Sequence, residues 1–318
     1  MKGRIFETAS PVDVLIIGYS FFMIILITVF GGHLNDRQTI YFAYAACIAA
    51  AALFIFLKST LNYRIIEYLS LIYPLTLLII FYEISGYHIH LFFPGFFDRI
   101  LVGFENLIFP VHPTVWFQRW NHPLITEWMM FGYSFYLLLL PITVSWLYFR
   151  KKKTQSHHLL LSLIIAFFIC YIGFFLFPIE GPRYYLHNLY TVKFTGYFFK
   201  SITDLIEGEA MLHGGCFPSA HCAAATVMLL LSFRYDKLLF AWTAPIIITL
   251  FTATVYGRYH YPSDFAAGFV VGAAAIRLAT ALQNYWDKKI KRNGGTIAFA
   301  QSETGLSRPE ADTLAKRP

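Results

Sequence analysis

The chain has 318 residues, of which 57 % are hydrophobic and 14 % are charged, whereas soluble domains carry about 25 % charged residues. With a mean hydropathy of +0.55, this composition argues against a water-soluble protein and for one whose side chains mostly face lipid. The net charge of +7 does not indicate nucleic acid as a partner, because the Lys and Arg residues form no basic face of a soluble fold.

Uncharged stretches recur along the chain at about the 20 residues that a membrane-spanning helix needs. They predict eight spans, the first of which follows a charged start and is too long for a cleaved signal peptide. The stretches are 14–35, 38–57, 68–82, 128–149, 154–179, 210–233, 238–257 and one from 265 that only Arg277 interrupts, and the short third stretch can extend into a span over 65–86. We expect two N-terminal spans in 1–64, a membrane core in 65–286 and a polar, disordered tail in 287–318.

The distribution of Lys and Arg predicts the orientation, because short translocated loops avoid positive charge. With the amino terminus inside, the inner segments hold 18 of the 25 Lys and Arg residues. The outer segments then hold only Arg37, Arg99, Arg119, Arg183, Lys193, Lys200 and Arg258. Both termini are therefore expected to be cytoplasmic.

Two outer segments are too long for simple turns. Residues 86–126 are apolar and aromatic without a clean span, which predicts re-entrant or interfacial helices with Trp116 and Trp120 at the membrane surface. Residues 179–217 form the second long segment and contain Cys216, which we expect to stay reduced together with Cys222 because a helix start lies between them. In the last span, the spacing of Gly268 and Gly272 predicts a close helix-packing face.

Two predicted spans begin with the same combination of residues. His221 follows Pro218 by three positions, and His260 precedes Pro262 by two. Proline at the first helical position leaves unpaired backbone amides at the helix end, which attract anions. Both spans run from outside to inside, so the two His residues should meet on one face of the membrane. Asp264 lies one turn after His260 and can accept its second ring N–H.

These residues together are the parts of a phosphoryl-transfer site. We interpret His260 as the nucleophile that attacks phosphorus, Asp264 as the carboxylate that fixes its tautomer, and His221 as the acid that protonates the leaving alcohol. Arg183, in the segment Glu180-Gly-Pro-Arg183, reaches the same face.

Arg183, Ser219 and the amides after Pro218, including that of Ala220, are expected to hold the phosphate oxygens. Neither a metal nor a cofactor is needed for this chemistry. The other outer histidines, taken singly, are expected to be only polar residues in the membrane interface, namely His33, His88, His112, His122, His187 and His213. His88 and His90 have the spacing of two metal ligands, but without a nearby carboxylate or Cys a metal site there is disfavoured.

The segments Glu180-Gly-Pro-Arg183, Pro218-Ser-Ala-His221 and His260-Tyr-Pro-Ser-Asp264 resemble the motifs of the type 2 phosphatidic acid phosphatase superfamily. The resemblance covers about 170–275. It implies an all-α, polytopic membrane bundle of about eight transmembrane helices, six of which form the core. It also implies that His221 is the leaving-group acid, His260 the nucleophile that becomes phosphohistidine, Asp264 its orienting carboxylate, and Ser219 and Arg183 phosphate ligands.

Three positions depart from the superfamily pattern. Leu176 stands where the pattern has Lys, Ala220 replaces Gly, and Thr254 occupies the place of a phosphate-binding Arg. Arg258 is the candidate substitute for that Arg. A site with fewer cations suits a phosphodiester, with one negative charge, better than a phosphomonoester, with close to two. This favours a headgroup-transfer branch similar to the inositol-phosphorylceramide synthases, whose outer loop the segment from Asp98 to Trp116 also resembles.

The sequence therefore predicts an integral membrane enzyme that moves a phosphoryl group or a phospho-headgroup from a lipid, with its site on the non-cytoplasmic face. The expected partners are the membrane and a lipid phosphate or phospholipid substrate, and no nucleic acid. Transfer to a lipid alcohol is favoured, and a lipid phosphate phosphatase, with water as acceptor, is nearly as strong an alternative. A non-catalytic carrier is disfavoured, because the outer His and Arg residues gather at span ends and not along span interiors.

Overall fold

The structure is a computed structural model that describes residues 8–61, 63–210 and 212–292. Within these ranges the regular secondary structure is helical, and extended backbone pairs only in an isolated parallel bridge between Ile179 and Gly215. This confirms the predicted all-α class. Of the predicted polar tail, residues 287–292 are helical and the remainder lies outside the described residues.

Twelve α-helices follow one another in the described part of the chain. They are α1 (Pro11–Phe30), α2 (Arg37–Thr60), α3 (Arg64–Gly86), α4 (Asp98–Ile108), α5 (Pro113–Trp116), α6 (Pro123–Phe149), α7 (Lys153–Leu176), α8 (Pro182–Tyr185), α9 (Phe198–Ala210), α10 (Ala220–Tyr235), α11 (Lys237–Tyr256) and α12 (Pro262–Arg292). Short 3-10 helices occupy Gly31–His33, Phe117–Trp120 and His187–Leu189.

Seven of these helices are long and apolar enough to cross a membrane: α1, α2, α3, α6, α7, α11 and α12. They confirm a multi-pass membrane protein. The predicted span 210–233 needs correction, because its helix, α10, begins only at Ala220 and has 16 residues. At 1.5 Å per residue it is about 24 Å long. Its length falls short of the other spans because the residues just before Ala220 form the loop that carries the Pro-Ser-Ala-His segment.

Helix α7 forms the centre of the bundle. In its most apolar stretch 78 % of the residues are buried, whereas the other six long helices reach 22–50 %. It packs against α3, α6, α10 and α12, and α1 of the N-terminal pair also touches it. Because α7 is enclosed by other helices, its carboxyl end positions the loop that begins at Ile179 inside the protein.

Helices α10 and α12 approach each other closely at two glycines, as predicted. A Cβ atom on Gly268 would lie 2.5 Å from the Ser219 carbonyl oxygen, and one on Gly272 would lie 2.5 Å from that of Ala223. Real Cβ atoms do not come so near, so both positions require glycine. The close packing brings the amino-terminal ends of α10 and α12, which carry the predicted site, next to each other.

The outer segment 86–126 contains α4 and α5, and the axis bends by 72° between Asp98–Ile108 and Pro113–Trp120. A bent helix pair agrees with the predicted re-entrant or interfacial arrangement. The exposed face of α4 is apolar, with Leu107 85 % exposed, while its buried face carries the carboxylates of Asp98 and Glu105. An apolar outer face and an acidic inner face suit a helix with lipid on one side and a polar site on the other.

At the opposite end of the bundle, ion pairs connect neighbouring helices. Lys58 on α2 lies 2.6 Å from Asp13 on α1, and Lys153 on α7 lies 2.7 Å from Glu67 on α3. The Lys152 ammonium is 2.8 Å from Asp236, whose other carboxylate oxygen caps α11 by accepting from the Leu238 and Leu239 amides. These pairs fix the order in which the spans lie beside each other.

Candidate active site

Three loops meet at one end of the bundle. The segment after α7 pairs with the segment before α10, since the Ile179 amide lies 3.4 Å from the Gly214 carbonyl oxygen. The turn between α11 and α12 joins them, because the Cys216 thiol donates to the Tyr259 carbonyl over 3.1 Å. Residues far apart in the sequence are thereby collected at the amino-terminal ends of α10 and α12.

The two predicted catalytic histidines face each other. The Nε2 atom of His260 lies 3.5 Å from the Nδ1 atom of His221. The His221 ring stacks on Tyr133, with ring centroids 5.1 Å apart, and also contacts Tyr136 on the same helix, α6. The two tyrosines fix the orientation of the His221 ring. The structure thus brings together the two histidines that the sequence assigned to one site.

Behind His260, a cysteine lies beside the predicted carboxylate. The His260 Nδ1 atom is 3.4 Å from Asp264 Oδ2 and 3.3 Å from Cys216 Sγ, and that thiol is itself 3.1 Å from Asp264 Oδ2. Asp264 Oδ2 also accepts the Tyr261 amide over 2.8 Å. Gly181 lies against the thiol with φ +104°, and a Cβ there would be 3.1 Å from the sulfur.

This arrangement determines which nitrogen of His260 carries the proton. The carboxylate oxygen and the sulfur beside Nδ1 are both acceptors, so the proton belongs on Nδ1 and Nε2 keeps its lone pair. Burial lowers the pKa of His260 to about 4, so the ring is neutral near pH 7. Burial and the neighbouring Asp264 raise the pKa of the Cys216 thiol well above its usual range. A neutral imidazole with a bare Nε2 has the form that a nucleophile requires.

The prediction that Pro218 starts the helix is wrong, whereas Pro262 does begin α12. Helix α10 begins at Ala220 and is capped by Ser219, whose Oγ accepts the Cys222 amide over 3.3 Å. The Ser219 amide donates to the Asp264 carbonyl over 3.2 Å. Ser219 is therefore fully buried as an N-cap, and its predicted contact with phosphate stays a prediction.

Arg183 and Arg258 line the same cavity as the two histidines. The Arg258 guanidinium lies 4.0 Å from the Tyr190 ring centroid and 4.4 Å from that of Phe194, and it donates to the Val192 carbonyl over 2.7 Å. Burial and the positive charge of Arg183 lower the pKa of Arg258. Both cations therefore line the cavity that the two histidines also line.

The structure places two of the three departures from the superfamily pattern, Leu176 and Thr254, differently. Leu176 is 49 % exposed on the outer surface of α7. Thr254 is buried, and its carbonyl oxygen accepts the amides of Tyr259 and His260 at 2.9 and 3.0 Å. In this chain, the backbone carbonyl of Thr254 therefore holds the turn that carries His260.

A cavity of about 360 Å³ extends from the histidines between α3 and α6. Its polar end is lined by Arg183, Ala220, His221, Arg258 and His260. Its apolar arm is lined by Ile72, Leu75 and Ile79 of α3 and by Leu137, Leu140 and Pro141 of α6. Ile79 is 56 % and Leu137 44 % exposed on the outside of the bundle, so the arm opens toward the surrounding lipid.

The family model of the PAP2 superfamily matches residues 101–278, which is more than half of the chain and includes every predicted site residue. The chain belongs to the PAP2 superfamily. A PA-phosphatase related-family protein from Dictyostelium discoideum is 34 % identical over 114 residues, or 35 % of this chain. The chain matches only 21 % of that relative's length. No solved structure matches.

Membership confirms the resemblance drawn from the three motifs and supports a lipid phosphoesterase of the phosphatase type. The matched region begins within α4 and ends within α12. Helices α1, α2 and α3 therefore lie entirely outside it. The predicted boundary between two N-terminal spans in 1–64 and a membrane core in 65–286 stays a prediction.

Two positioning residues of this PAP2 site escaped the sequence analysis. Asp98 on α4 accepts the amides of Glu180 and Gly181 over 2.7 and 2.9 Å and the hydroxyl of Tyr261 over 3.0 Å. It thereby ties the Arg183 loop to the His260 turn. The sequence marked Asp98 only as the first residue of the segment that resembles the outer loop of the inositol-phosphorylceramide synthases, without a role of its own.

Glu105, two turns further along α4, accepts both the amide and the hydroxyl of Ser263, at 2.9 and 2.7 Å. It holds the first turn of α12 in the same way that Asp98 holds the loop. Cys216 was noted in the sequence only for its redox state, and its position between His260 and Asp264 was not predicted. All four cysteines are unpaired thiols, as expected.

Proposed function

We propose that this PAP2 protein transfers a phospho-headgroup from a phosphodiester lipid to a lipid alcohol through a phosphohistidine at His260. One observation carries the proposal: the cavity joins a pair of facing histidines to an apolar arm that opens on the outside of the bundle. A ligand that fills both parts has a phosphate ester at one end and a hydrocarbon chain at the other. A membrane lipid has this shape.

The charges at the polar end favour a diester over a monoester. Among the described residues, the Lys and Arg side chains that line the cavity are those of Arg183 and Arg258. Arg258 already shares its guanidinium with two aromatic rings and the Val192 carbonyl. A phosphodiester carries one negative charge and needs fewer cations than a phosphomonoester, which carries close to two near neutral pH.

The proposed first step breaks one P–O bond and forms one P–N bond. The lone pair on His260 Nε2 attacks phosphorus, and the imidazole ring becomes positively charged. Its Nδ1–H stays on the ring and donates a hydrogen bond to Asp264 and Cys216. His221, in its protonated imidazolium form, gives a proton to the departing alkoxide, which leaves as an alcohol, and His221 is left neutral. Because the two histidine nitrogens are 3.5 Å apart, the phosphate must separate the rings as it binds.

The second step reverses these roles. The acceptor alcohol transfers its proton to His221 and attacks phosphorus, and the P–N bond breaks to restore neutral His260. The apolar arm favours a lipid alcohol over water as the acceptor, because it opens to lipid. The excess of Lys and Arg in the predicted inner loops supports a site on the non-cytoplasmic face with both termini in the cytoplasm.

A phosphorus balance tests the proposal. Purified protein in lipid micelles receives either phosphatidate or a phosphodiester phospholipid as donor, with diacylglycerol or ceramide as acceptor. We expect a new phospholipid, little free phosphate and no product in His260→Ala. Free phosphate from phosphatidate, lost in His260→Ala, would instead make the protein a lipid phosphate phosphatase.

Covalent trapping tests the intermediate separately. With a donor labelled in its phosphate, the protein quenched in base should carry label that acid removes, since a P–N bond to histidine is stable in base and labile in acid. His260→Ala should carry none. Label that survives acid would indicate a hydroxyl ester and exclude the histidine nucleophile.

The apolar arm is tested by narrowing its mouth. Leu137→Trp is expected to reduce activity on a long-chain donor while leaving activity on a short-chain, micelle-free analogue close to that of the wild type. The matched control is Leu53→Trp, because Leu53 is 53 % exposed on α2. Equal activity of both variants on the long-chain donor would exclude this path.

A further inference from the structure

Three side chains of different chemistry form a tight triangle behind the nucleophile. The distances are 3.3 Å from Cys216 Sγ to His260 Nδ1, 3.1 Å from the same sulfur to Asp264 Oδ2, and 3.4 Å from Nδ1 to Oδ2. All three residues are buried, and one ligand-type atom from each lies within 4.8 Å of the others. A sulfur, an imidazole nitrogen and a carboxylate oxygen are the donors that Zn²⁺ uses in proteins.

The triangle is close to the size that a tetrahedral zinc ion imposes. Zinc lies about 2.3 Å from sulfur, 2.0–2.1 Å from nitrogen and 2.0–2.2 Å from a carboxylate oxygen, which places the donors roughly 3.4–3.6 Å from each other. Compared with these values, the two observed separations that involve the sulfur are shorter by a few tenths of an ångström. Small side-chain shifts would therefore admit the ion without any change in the backbone.

The charge of the cluster also fits a divalent ion. Cys216 as thiolate and Asp264 as carboxylate carry two negative charges, which one divalent cation neutralises in a buried setting. Among the residues that the structure describes, no group donates to the second carboxylate oxygen of Asp264, Oδ1, although this oxygen is buried. A buried carboxylate oxygen without a donor is costly, and a nearby cation would relieve that cost.

The cluster is accessible from the substrate cavity. Both Cys216 and His260 line it, so an ion can reach the triangle by the route that the lipid phosphate takes. A site with three protein ligands leaves one coordination position for water.

We propose that Cys216, His260 and Asp264 form a binding site for a thiophilic divalent cation, with Zn²⁺ as the best match, and that the bound ion inhibits the enzyme. On binding, the Cys216 thiol releases its proton to solvent, and the Nδ1 proton of His260 moves to Nε2 or is lost. The metal takes the Nδ1 lone pair, withdraws electron density from the ring and occupies the carboxylate that would stabilise the imidazolium. Nucleophilic attack by Nε2 is then suppressed.

Cobalt binding tests the site without any substrate, so its outcome does not depend on the proposed function. Co²⁺ is titrated into the purified full-length protein in detergent, and a thiolate ligand is detected by its charge-transfer band in the near ultraviolet. We expect the band in the wild type and in the control Cys47→Ser, which removes a buried thiol of α2. The absence of the band in the wild type would overturn the proposal.

Variants of the triangle assign the ligands. Cys216→Ser and Cys216→Ala should both lack the band, whereas His260→Ala should keep a thiolate signal with an affinity for cobalt at least about tenfold lower. A band that persists in both Cys216 variants, or an unchanged affinity in His260→Ala, would place the metal elsewhere and overturn the assignment.

The inhibitory role rests on the proposed function and is tested by turnover. Zn²⁺ should inhibit the wild type and Cys47→Ser, and a chelator should restore activity. Inhibition of Cys216→Ser should need at least about tenfold more Zn²⁺. Equal sensitivity of Cys216→Ser and the wild type would overturn the inhibitory role. If the protein shows the cobalt band but turns over no lipid donor, the metal site is supported and only the proposed function is contradicted.

Discussion

The two ends of the helix bundle use buried carboxylates differently. At the end opposite the catalytic site, Asp13 and Asp236 pair with the lysines of neighbouring helices. At the catalytic end, Asp98 and Glu105 accept hydrogen bonds from the backbone amides of Glu180, Gly181 and Ser263 and from nearby hydroxyls. Acidic side chains therefore hold helices to one another at one end and hold loops in shape at the other.

This difference has a physical reason. A carboxylate that accepts backbone amides fixes the position of the main chain, and it does so without drawing a cationic side chain into the pair. In a phosphate site the cations are needed for the ligand. The comparison predicts that substitutions at the catalytic end change turnover, whereas substitutions at the opposite end change stability.

The largest expected effect is that of His260→Ala. Loss of the nucleophile should reduce turnover by at least about 10⁴-fold, because both steps pass through this ring. The thermal midpoint in detergent should stay close to that of the wild type. His33→Ala, which removes another outer histidine, is the matched control and should retain activity. Turnover of His260→Ala comparable to the wild type would exclude the mechanism.

Asp98→Asn should lower kcat by about 100-fold with a smaller change in KM. An amide cannot accept from Glu180, Gly181 and Tyr261 as a carboxylate does, and small displacements of catalytic loops have effects of this size. The exposed Asp204→Asn is the control, and steady-state kinetics is the measurement. If kcat is unchanged in the folded variant, Asp98 does not position the loop.

Arg258→Ala tests the substitute cation and should weaken transition-state binding by about tenfold to a hundredfold, the usual loss for a hydrogen bond to a charged group. Arg258→Lys should recover part of this loss, since it keeps the charge but not the planar donor pair. Arg119→Ala, which removes an exposed arginine of the outer segment 86–126, serves as control. Unchanged kcat/KM in Arg258→Ala would remove this residue from the site.

The smallest effect on turnover is expected for Asp236→Ala at the opposite end. The variant loses the N-cap of α11 and the Lys152 pair, so the free energy of unfolding should fall by about 1 kcal/mol. Thermal unfolding in detergent measures the loss, and activity per folded molecule should equal that of the wild type. A large fall in activity at full folding would contradict the division between the two ends.

Much of the fold was predictable because the bilayer restricts it. Long uncharged stretches predict spans, and seven of the predicted spans correspond to long apolar helices. The start of α10 was misplaced, because residues 212–219 are uncharged like a span but form a loop that carries the candidate site. Charge-free sequence alone does not distinguish a lipid-facing helix from a loop buried among other helices.

The composition of the site was predictable in part. His221 and His260 were placed together because both precede spans that run in the same direction. The role of Ser219 as an N-cap was missed, because Pro218 was taken as the first helical residue, whereas the helix begins two residues later. Asp98 was missed because it contacts Gly181 and Tyr261 from more than 80 positions away.

By itself, the sequence determined the class of the protein, the number of its spans to within one short helix, and the two histidines and the carboxylate that meet in the candidate site. These follow from local properties: hydropathy over a span and the spacing of His260 and Asp264 on one helix turn. The tertiary structure decided that Cys216 lies between those two residues, that α4 turns two carboxylates inward, and that an apolar arm leads from the histidines to the lipid. Each depends on how separate helices pack, and side-chain packing across the bundle leaves no periodic signal in the chain.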